Sequence, residues 1–251
     1  MNPTISIVIS GARPELWSDL YSSIGNNEVS FELIFIGPDK LNYQFPNNVF
    51  FIQSRTKPVQ CFEIGARLAQ GKYLLFLADD TFFCTEHPLD DLYKEYLAHN
   101  NEKLMLSCRY GEGMGSSFTK KFPAENHLAS GDTTNLVYMP VGFIINRDYY
   151  MYLGGLDRNF IALYWDLDLC FRIVEDGGIT SLSSVWLIEQ KEKHNNIFMY
   201  ITFNKIDRLI TLEKFWPMFC KNNNFKRTAP LELFSDYKIL EESQGPKGKW
   251  V

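Results

Sequence analysis

No stretch of this sequence approaches the roughly 18 consecutive apolar residues that a membrane-crossing helix needs. The opening Met1-Asn2-Pro3-Thr4 runs straight into Ile5-Ser6-Ile7-Val8-Ile9, without the charged lead and apolar core of a secretion signal. A cytoplasmic protein is therefore expected, with attachment to a membrane surface left open. Basic runs are missing as well. Lys120-Lys121 is only a pair, and 25 Lys and Arg against 30 Asp and Glu give a net charge of −5. That excludes the long basic footprint of a non-specific nucleic-acid binder. The five cysteines (Cys61, Cys84, Cys108, Cys170 and Cys220) lie far apart, with no Cys-x-x-Cys. Such a set suits buried thiols in a reducing compartment rather than a disulfide scaffold. Glycine (16) and proline (11) are too few for a collagen-like or low-complexity chain of 251 residues. There is no Gly-x-x-x-x-Gly-Lys-Ser/Thr phosphate loop and no Gly-x-Ser-x-Gly nucleophile turn. The run Gly111-x-Gly113-x-Gly115 neither follows a strand nor opens a helix.

What is plentiful is apolar and aromatic. Hydrophobic residues make up 45% and aromatic residues 15%, enough for a large core with rings to spare for a binding site. The first eighty residues alternate strand and helix. Strands are expected at residues 5–9, 31–36, 49–52 and 73–77. Pro14 opens a helix carrying Leu16, Leu20 and Ile24 at helical spacing, and Pro58 opens another with Cys61, Ile64 and Leu68 on one face and Gly71 as its stop. This pattern predicts parallel β-α-β units, whose ligands sit beyond the carboxyl ends of the strands. Three exit loops are candidates: Ser10-Gly11-Ala12-Arg13, Gly37-Pro38-Asp39 and Ala78-Asp79-Asp80. Further on, a helix is predicted over 88–99, a strand over 104–107, a long loop over 110–134, and strands over 136–138 and 143–146. Leu167, Cys170, Phe171 and Val174 fall at i, i+3, i+4 and i+7, so Asp166 opens a helix that ends at Gly177-Gly178. From His194 onward the pattern is helical and aromatic.

Asp79-Asp80 is the first chemical candidate. Two adjacent carboxylates repel, and a divalent cation would offset that while clamping a diphosphate; the plain alternative is a turn cap beside a solvated Asp. Asp166 is the second. A carboxylate at a helix N-terminus is stabilised as the anion and can act as a general base, or simply cap the helix. Asp168 lies about 200° further round at 3.6 residues per turn, so it is expected to be structural, bonding backbone N–H groups or a nearby Arg. His194 is either a packed histidine or a ligand of metal or phosphate. His87, His99 and His127 show no ligand spacing. Arg13, Arg55, Lys57 and Arg67 are cations near the first-half loops, each able to meet a phosphate or to remain a surface charge.

Together these residues resemble the inverting nucleotide-sugar glycosyltransferases of family 2, over roughly residues 4–194. Ile5-Ser6-Ile7-Val8-Ile9-Ser10 with Arg13-Pro14-Glu15-Leu16 is similar to the family's opening strand and turn. Gly71-Lys72-Tyr73-Leu74-Leu75-Phe76-Leu77-Ala78-Asp79-Asp80 resembles the strand leading into its metal-binding Asp-x-Asp. Gly154-Gly155-Leu156-Asp157 through Phe160 resembles its Gly-Gly-Phe-Asp-Glu-x-Phe segment. Trp165-Asp166-Leu167-Asp168-Leu169-Cys170-Phe171-Arg172 resembles its Glu-Asp-x-Asp-Leu-x-x-Arg helix. Four departures stand out. Ala78 replaces the first Asp of Asp-x-Asp. No acidic residue ends the second strand at Gly37-Pro38, although Asp39 is close. Trp165 replaces a Glu, and Phe62-Glu63 replaces an Arg-Asn pair. These bear on the nucleotide more than on the fold.

The resemblance implies an α/β GT-A fold: a mixed, mainly parallel central sheet flanked by helices over residues 1–194, with a helical, aromatic C-terminal extension over 195–251 on or near the active site. It implies metal-dependent, inverting transfer of a sugar from a nucleoside-diphosphate donor, UDP-sugars first, to a hydroxyl of a glycan or glycoprotein, as in polysaccharide assembly. Asp166 would be the base. Asp80 and His194 would hold Mn²⁺ or Mg²⁺. Ser10, Gly11, Arg13, Asp39, Arg55, Lys57 and Asp79 would meet the nucleotide-sugar, and Gly155 and Trp165 the acceptor. For Trp165, plain core packing is the equal alternative. A homodimer is compatible with all of this. A catalytically inactive sugar-nucleotide-binding module and, below it, a nucleotidyltransferase remain as alternatives.

Overall fold

The computed structural model describes residues 2–40, 44–113, 122–124, 128–129, 136–137, 142–190, 205, 207, 215–216 and 226–234. Its first half is β1 (Ile5–Ser10), a 3₁₀ turn (Pro14–Leu16), α1 (Trp17–Ile24), β2 (Phe31–Gly37), β3 (Val49–Gln53), α2 (Pro58–Leu68) and β4 (Tyr73–Ala78). β5 (Thr81–Phe83), α3 (Pro88–Ala98), β6 (Leu104–Gly113) and β7 (Phe122–Ala124) follow, then the short pair β8 (Leu128–Ala129) and β9 (Leu136–Val137). The chain continues through β10 (Phe143–Asn146), α4 (Arg147–Tyr152), α5 (Trp165–Glu175) and β11 (Ile179–Gln190). Pro58 and Pro88 open their helices where a missing N–H costs nothing. α2 ends at Leu68, three residues before the glycine expected to stop it.

The main sheet runs β3-β2-β1-β4-β10-β6-β11-β5, with β7 on β6. β1 to β4 are parallel to one another. β10 is antiparallel to both β4 and β6, so β6 points the same way as β4, and β11 is parallel to β6. The sheet is thus mixed and mainly parallel, as expected. The carboxyl ends of β1, β2, β3, β4, β6 and β11 share one edge. Strand alternation divides the core. Val8, Ile34, Ile36, Leu74 and Phe76 pack against α2, α5 and residues of the C-terminal segment. Ile5, Ile7, Ile9, Leu33, Phe35, Leu75 and Leu77 pack against α1 and α3.

Several elements depart from the sequence reading. β11 was not foreseen, because its run is serine-rich and a register shift between Leu182 and Trp186 breaks the two-residue period. β5 has only three residues, all buried. β6 extends into the expected long loop as far as Gly113, and β7 and β8 lie within that region, while β9 falls at the strand expected over 136–138.

Candidate active site

The exit loops meet at the carboxyl edge through close backbone contact. The Gly11 N–H donates to the Ile36 carbonyl at 2.8 Å, and the Ser54 N–H to the Gly37 carbonyl at 2.9 Å. A Cβ on Gly37 would lie 1.8 Å from the Gly11 carbonyl oxygen, so only glycine permits this approach. Ser10 stands half-buried beside the thiol of Cys61, whose pKa burial pushes up to about 11 against the hydrogen bonds of Thr56, Ser54 and Ser10. Asp39 and Arg55 are exposed on the neighbouring exits.

Asp79 and Asp80 are buried at the end of β4. Asp79 Oδ2 accepts the backbone N–H groups of Ala12 at 2.8 Å and Arg13 at 2.7 Å. Its Oδ1 accepts Arg13 Nε at 3.0 Å and Arg13 Nη2 as well. Asp80 Oδ2 pairs with Arg13 Nη1 at 2.7 Å. Burial works against the charge of Arg13, but the pull of Asp79 and Asp80 and the hydrogen bonds to both raise its pKa above the ordinary value. Asp79 therefore shapes the first exit loop. Asp80 is held by the same guanidinium.

α5 runs back from the same edge toward the start of β11, where Ile179 pairs with Leu104. Its first turn lies over the distal half of β4: the Trp165 ring is 5.8 Å from Phe76, 4.7 Å from Phe62 and 6.0 Å from Phe143. Trp165 is only 7% exposed, so core packing takes its ring. The preceding residue, Tyr164, caps the helix in the left-handed region at φ 60°. Asp166 is half-buried, and its Oδ1 accepts the Leu167 N–H at 2.8 Å. Among the described residues no cationic side chain pairs with it. Loss of solvation raises its pKa to about 7, although the backbone N–H groups of Leu167 and of Asp166 itself pull the other way.

Asp168 does what its helical position implied. Its Oδ2 accepts Arg172 Nε at 2.9 Å, and its Oδ1 accepts Trp216 Nε1 at 2.8 Å and Arg227 Nε at 3.1 Å. Lys57 turns inward: it is 1% exposed and its ammonium donates to the Arg158 carbonyl. Gly155 faces Glu63, and a Cβ there would lie 2.7 Å from the Glu63 carboxylate oxygens. The carboxyl edge thus gathers Ser10, Gly11, Arg13, Asp39, Arg55, Asp79, Asp80 and Asp166. Lys57, Gly155 and Trp165 instead pack the interior that supports it, and His194 lies outside the described residues.

Three supporting residues escaped the sequence reading. In the sequence Glu63 figures only as half of the Phe62-Glu63 departure, with no structural role attached. Arg227 and Asp207 belong to the aromatic C-terminal stretch, where no spacing ties them to partners far back in the chain. The Glu63–Arg67 and Asp168–Arg172 pairs, each at i and i+4, carried a signal in the sequence, but their other partners did not.

Among the described residues no group of three or more His, Cys, Asp or Glu side chains is placed to hold a metal ion. Among the described residues, the hydrogen bonds to Asp79 come from the first exit loop. A magnesium-type cation, however, takes one or two carboxylates and completes its shell with substrate phosphates and water. Asp80 fits that sparse donor set.

The fold has a counterpart among solved structures. It resembles the crystal structure of S. aureus TarS 1-349, with a TM-score of 0.55 and 13% sequence identity, over 74% of this chain and 60% of that one. At that identity the likeness is one of fold alone. In all, 371 solved chains match, so the fold is widely used and does not by itself choose a substrate. No protein-family model matches the sequence, and no curated protein does either.

Proposed function

We propose that the protein is an inverting glycosyltransferase that moves a sugar from a nucleoside-diphosphate donor, UDP-sugars first, to a hydroxyl group of a glycan or glycoprotein. One observation carries the reading. Asp166, a carboxylate whose pKa is raised to about 7, follows Trp165 at the start of α5, and the Trp165 ring packs on Phe76 of β4, the strand that runs into the Asp79–Asp80–Arg13 cluster. A base poised near neutrality that faces the acceptor hydroxyl, with the leaving diphosphate on the far side of the anomeric carbon, is what in-line displacement requires. Asp166 takes the proton of the acceptor hydroxyl. The freed oxygen attacks the anomeric carbon, and the bond from that carbon to the diphosphate oxygen breaks with inversion. In this reading Arg13 and Asp80, beyond the ends of β1 and β4, would meet the departing diphosphate. A Mg²⁺ or Mn²⁺ ion held by Asp80 would neutralise the charge that leaves. The fold likeness to the TarS structure is compatible with this reading.

The test begins with thermal melts against UDP-, GDP-, CMP- and dTDP-sugars with Mn²⁺, since a bound donor raises apparent stability by mass action. With the stabilising donor, Asp166→Asn is expected to lose about 10²–10⁴-fold in transfer while donor affinity stays within about twofold. Near-wild-type turnover in that variant would refute the assignment. Donor binding by the wild-type chain with neither transfer nor hydrolysis would make the protein a binding module instead.

A further inference from the structure

Three successive backbone N–H groups just before α5 point at one carboxylate. Asp207, fully buried, accepts Ile161 N–H at 3.1 Å through Oδ1, and Ala162 N–H at 2.9 Å and Leu163 N–H at 3.0 Å through Oδ2. Consecutive N–H groups turned to one side form an anion-binding concavity, and charge-assisted bonds of this kind are stronger than neutral ones. The opposite side of the same segment is tied to α2, whose Val59 N–H donates to the Ile161 carbonyl at 3.1 Å. The next residue is Tyr164 at φ 60°, a conformation that a bulky residue keeps only when its surroundings over-determine it. The Asp168 N–H then donates to the Tyr164 carbonyl at 3.0 Å, and the helix bearing Asp166 begins.

We propose that Asp207 is a positioning residue for Asp166. By holding the N–H groups of residues 161–163, it fixes the left-handed turn at Tyr164 from which Trp165 and Asp166 project. The C-terminal segment thereby supplies part of the catalytic apparatus. The proposal rests on the reading of Asp166 as the base. Its physical content is separate: without the Asp207 carboxylate the turn loosens, Trp165 no longer seals the first turn of α5, and water reaches Asp166. Displacement of a reacting group by about 1 Å is enough to cost about 10²-fold in rate.

The experiment titrates the Asp166 carboxyl carbon by NMR in the full chain labelled with ¹³C-carboxyl aspartate, the signal being assigned by its loss in Asp166→Asn. Four proteins are compared: wild type, Asp207→Asn, Asp207→Ala and Ser6→Ala. Ser6 lies at the amino end of the sheet, bonded to Glu32 and to the Gly71 N–H, so its loss destabilises the fold away from the site. The midpoint is expected near 7 in the wild type and in Ser6→Ala. It should fall by about one unit or more in Asp207→Ala, toward the ordinary carboxylate value, with Asp207→Asn between. An unchanged midpoint in folded Asp207→Ala overturns the proposal, as does a wild-type midpoint near 4. If Asp207→Ala fails to fold, Asp207→Asn decides the matter by the same shift. In transfer assays the kcat of the Asp207 variants should fall by about 10- to 100-fold while the Kd for the donor stays constant. A matched loss in donor affinity would reduce Asp207 to a purely structural part and overturn the proposal. Full turnover in Asp166→Asn alongside the shifted titration would instead overturn the function proposed above, leaving the link from Asp207 to the turn intact.

Discussion

At the residue scale, Asp166 carries a conflict between stability and chemistry. The folded protein keeps its proton up to about pH 7. The unfolded chain loses it near the ordinary Asp value of about 3.9. Between those two values the folded state binds more protons, so its stability falls as pH rises through that window. Asp166→Asn removes the effect. At pH 8 the variant is expected to be more stable than wild type by about 1 to 3 kcal/mol, allowing for water at a half-buried group. Below pH 4 the two should melt together. Equal melting points at pH 8 would mean that Asp166 is solvated. The same carboxylate predicts the acid limb of the rate profile: kcat/KM should rise through an apparent pKa near 7 as the base becomes unprotonated. A rate that stays flat from pH 5.5 to 8 would remove Asp166 from the proton transfer.

At the element scale, α2 and the turn after α4 hold each other through Glu63. This fully buried carboxylate accepts Tyr150 Oη at 2.6 Å, the Leu156 N–H at 3.1 Å and Arg67 Nε at 2.7 Å. Burial, and then the adjacent Glu63, raise the Tyr150 hydroxyl well above its ordinary pKa, so it remains a donor. Gly155, at φ 72°, is required twice: for its left-handed backbone, and because a side chain would strike Glu63. Gly155→Ala should cost about 2 kcal/mol or more from the backbone alone plus the collision. Glu63→Ala should cost about 3 kcal/mol by stripping partners from Arg67 and Tyr150. The double variant should fall short of the sum by about 1 kcal/mol, because removing Glu63 relieves the collision. Strict additivity in urea melts would show that the two do not touch. The glycine pair was legible as a motif, and the acid packed against it was not. A lone Glu at a helix midpoint gives no sign of which turn closes over it.

At the scale of the whole molecule, the described residues of the C-terminal stretch are tied to α5, α2 and the turn between α4 and α5. Arg227 donates Nε to Asp168 at 3.1 Å, Nη2 to Asp157 at 2.5 Å and Nη1 to the Ala229 carbonyl at 2.8 Å, with its guanidinium 4.0 Å over the Phe215 ring. Arg67 Nη2 reaches the Phe234 carbonyl at 2.6 Å, and the Arg158 N–H the Glu232 carbonyl at 3.0 Å. Arg227→Met should cost about 3 to 5 kcal/mol, since it leaves Asp157 and Asp168 buried with fewer partners. Calorimetry should record a single transition moved down as a whole. Loss of only a minor early transition would show that the C-terminal residues melt apart from the sheet.

The linear order of residues was enough to determine the parallel β-α-β half, the exit loops and the helix that begins at Asp166. Each of these is written in local periodicity, proline placement and turn chemistry, which act over a few neighbouring residues. Only the tertiary structure decided that Asp79 folds the first loop around Arg13, that the Trp165 ring turns to the core, and that Asp207 and Arg227 reach back to the turns around α5. Those pairings join residues tens of positions apart. Their strength comes from desolvation and burial, which no short window of sequence contains.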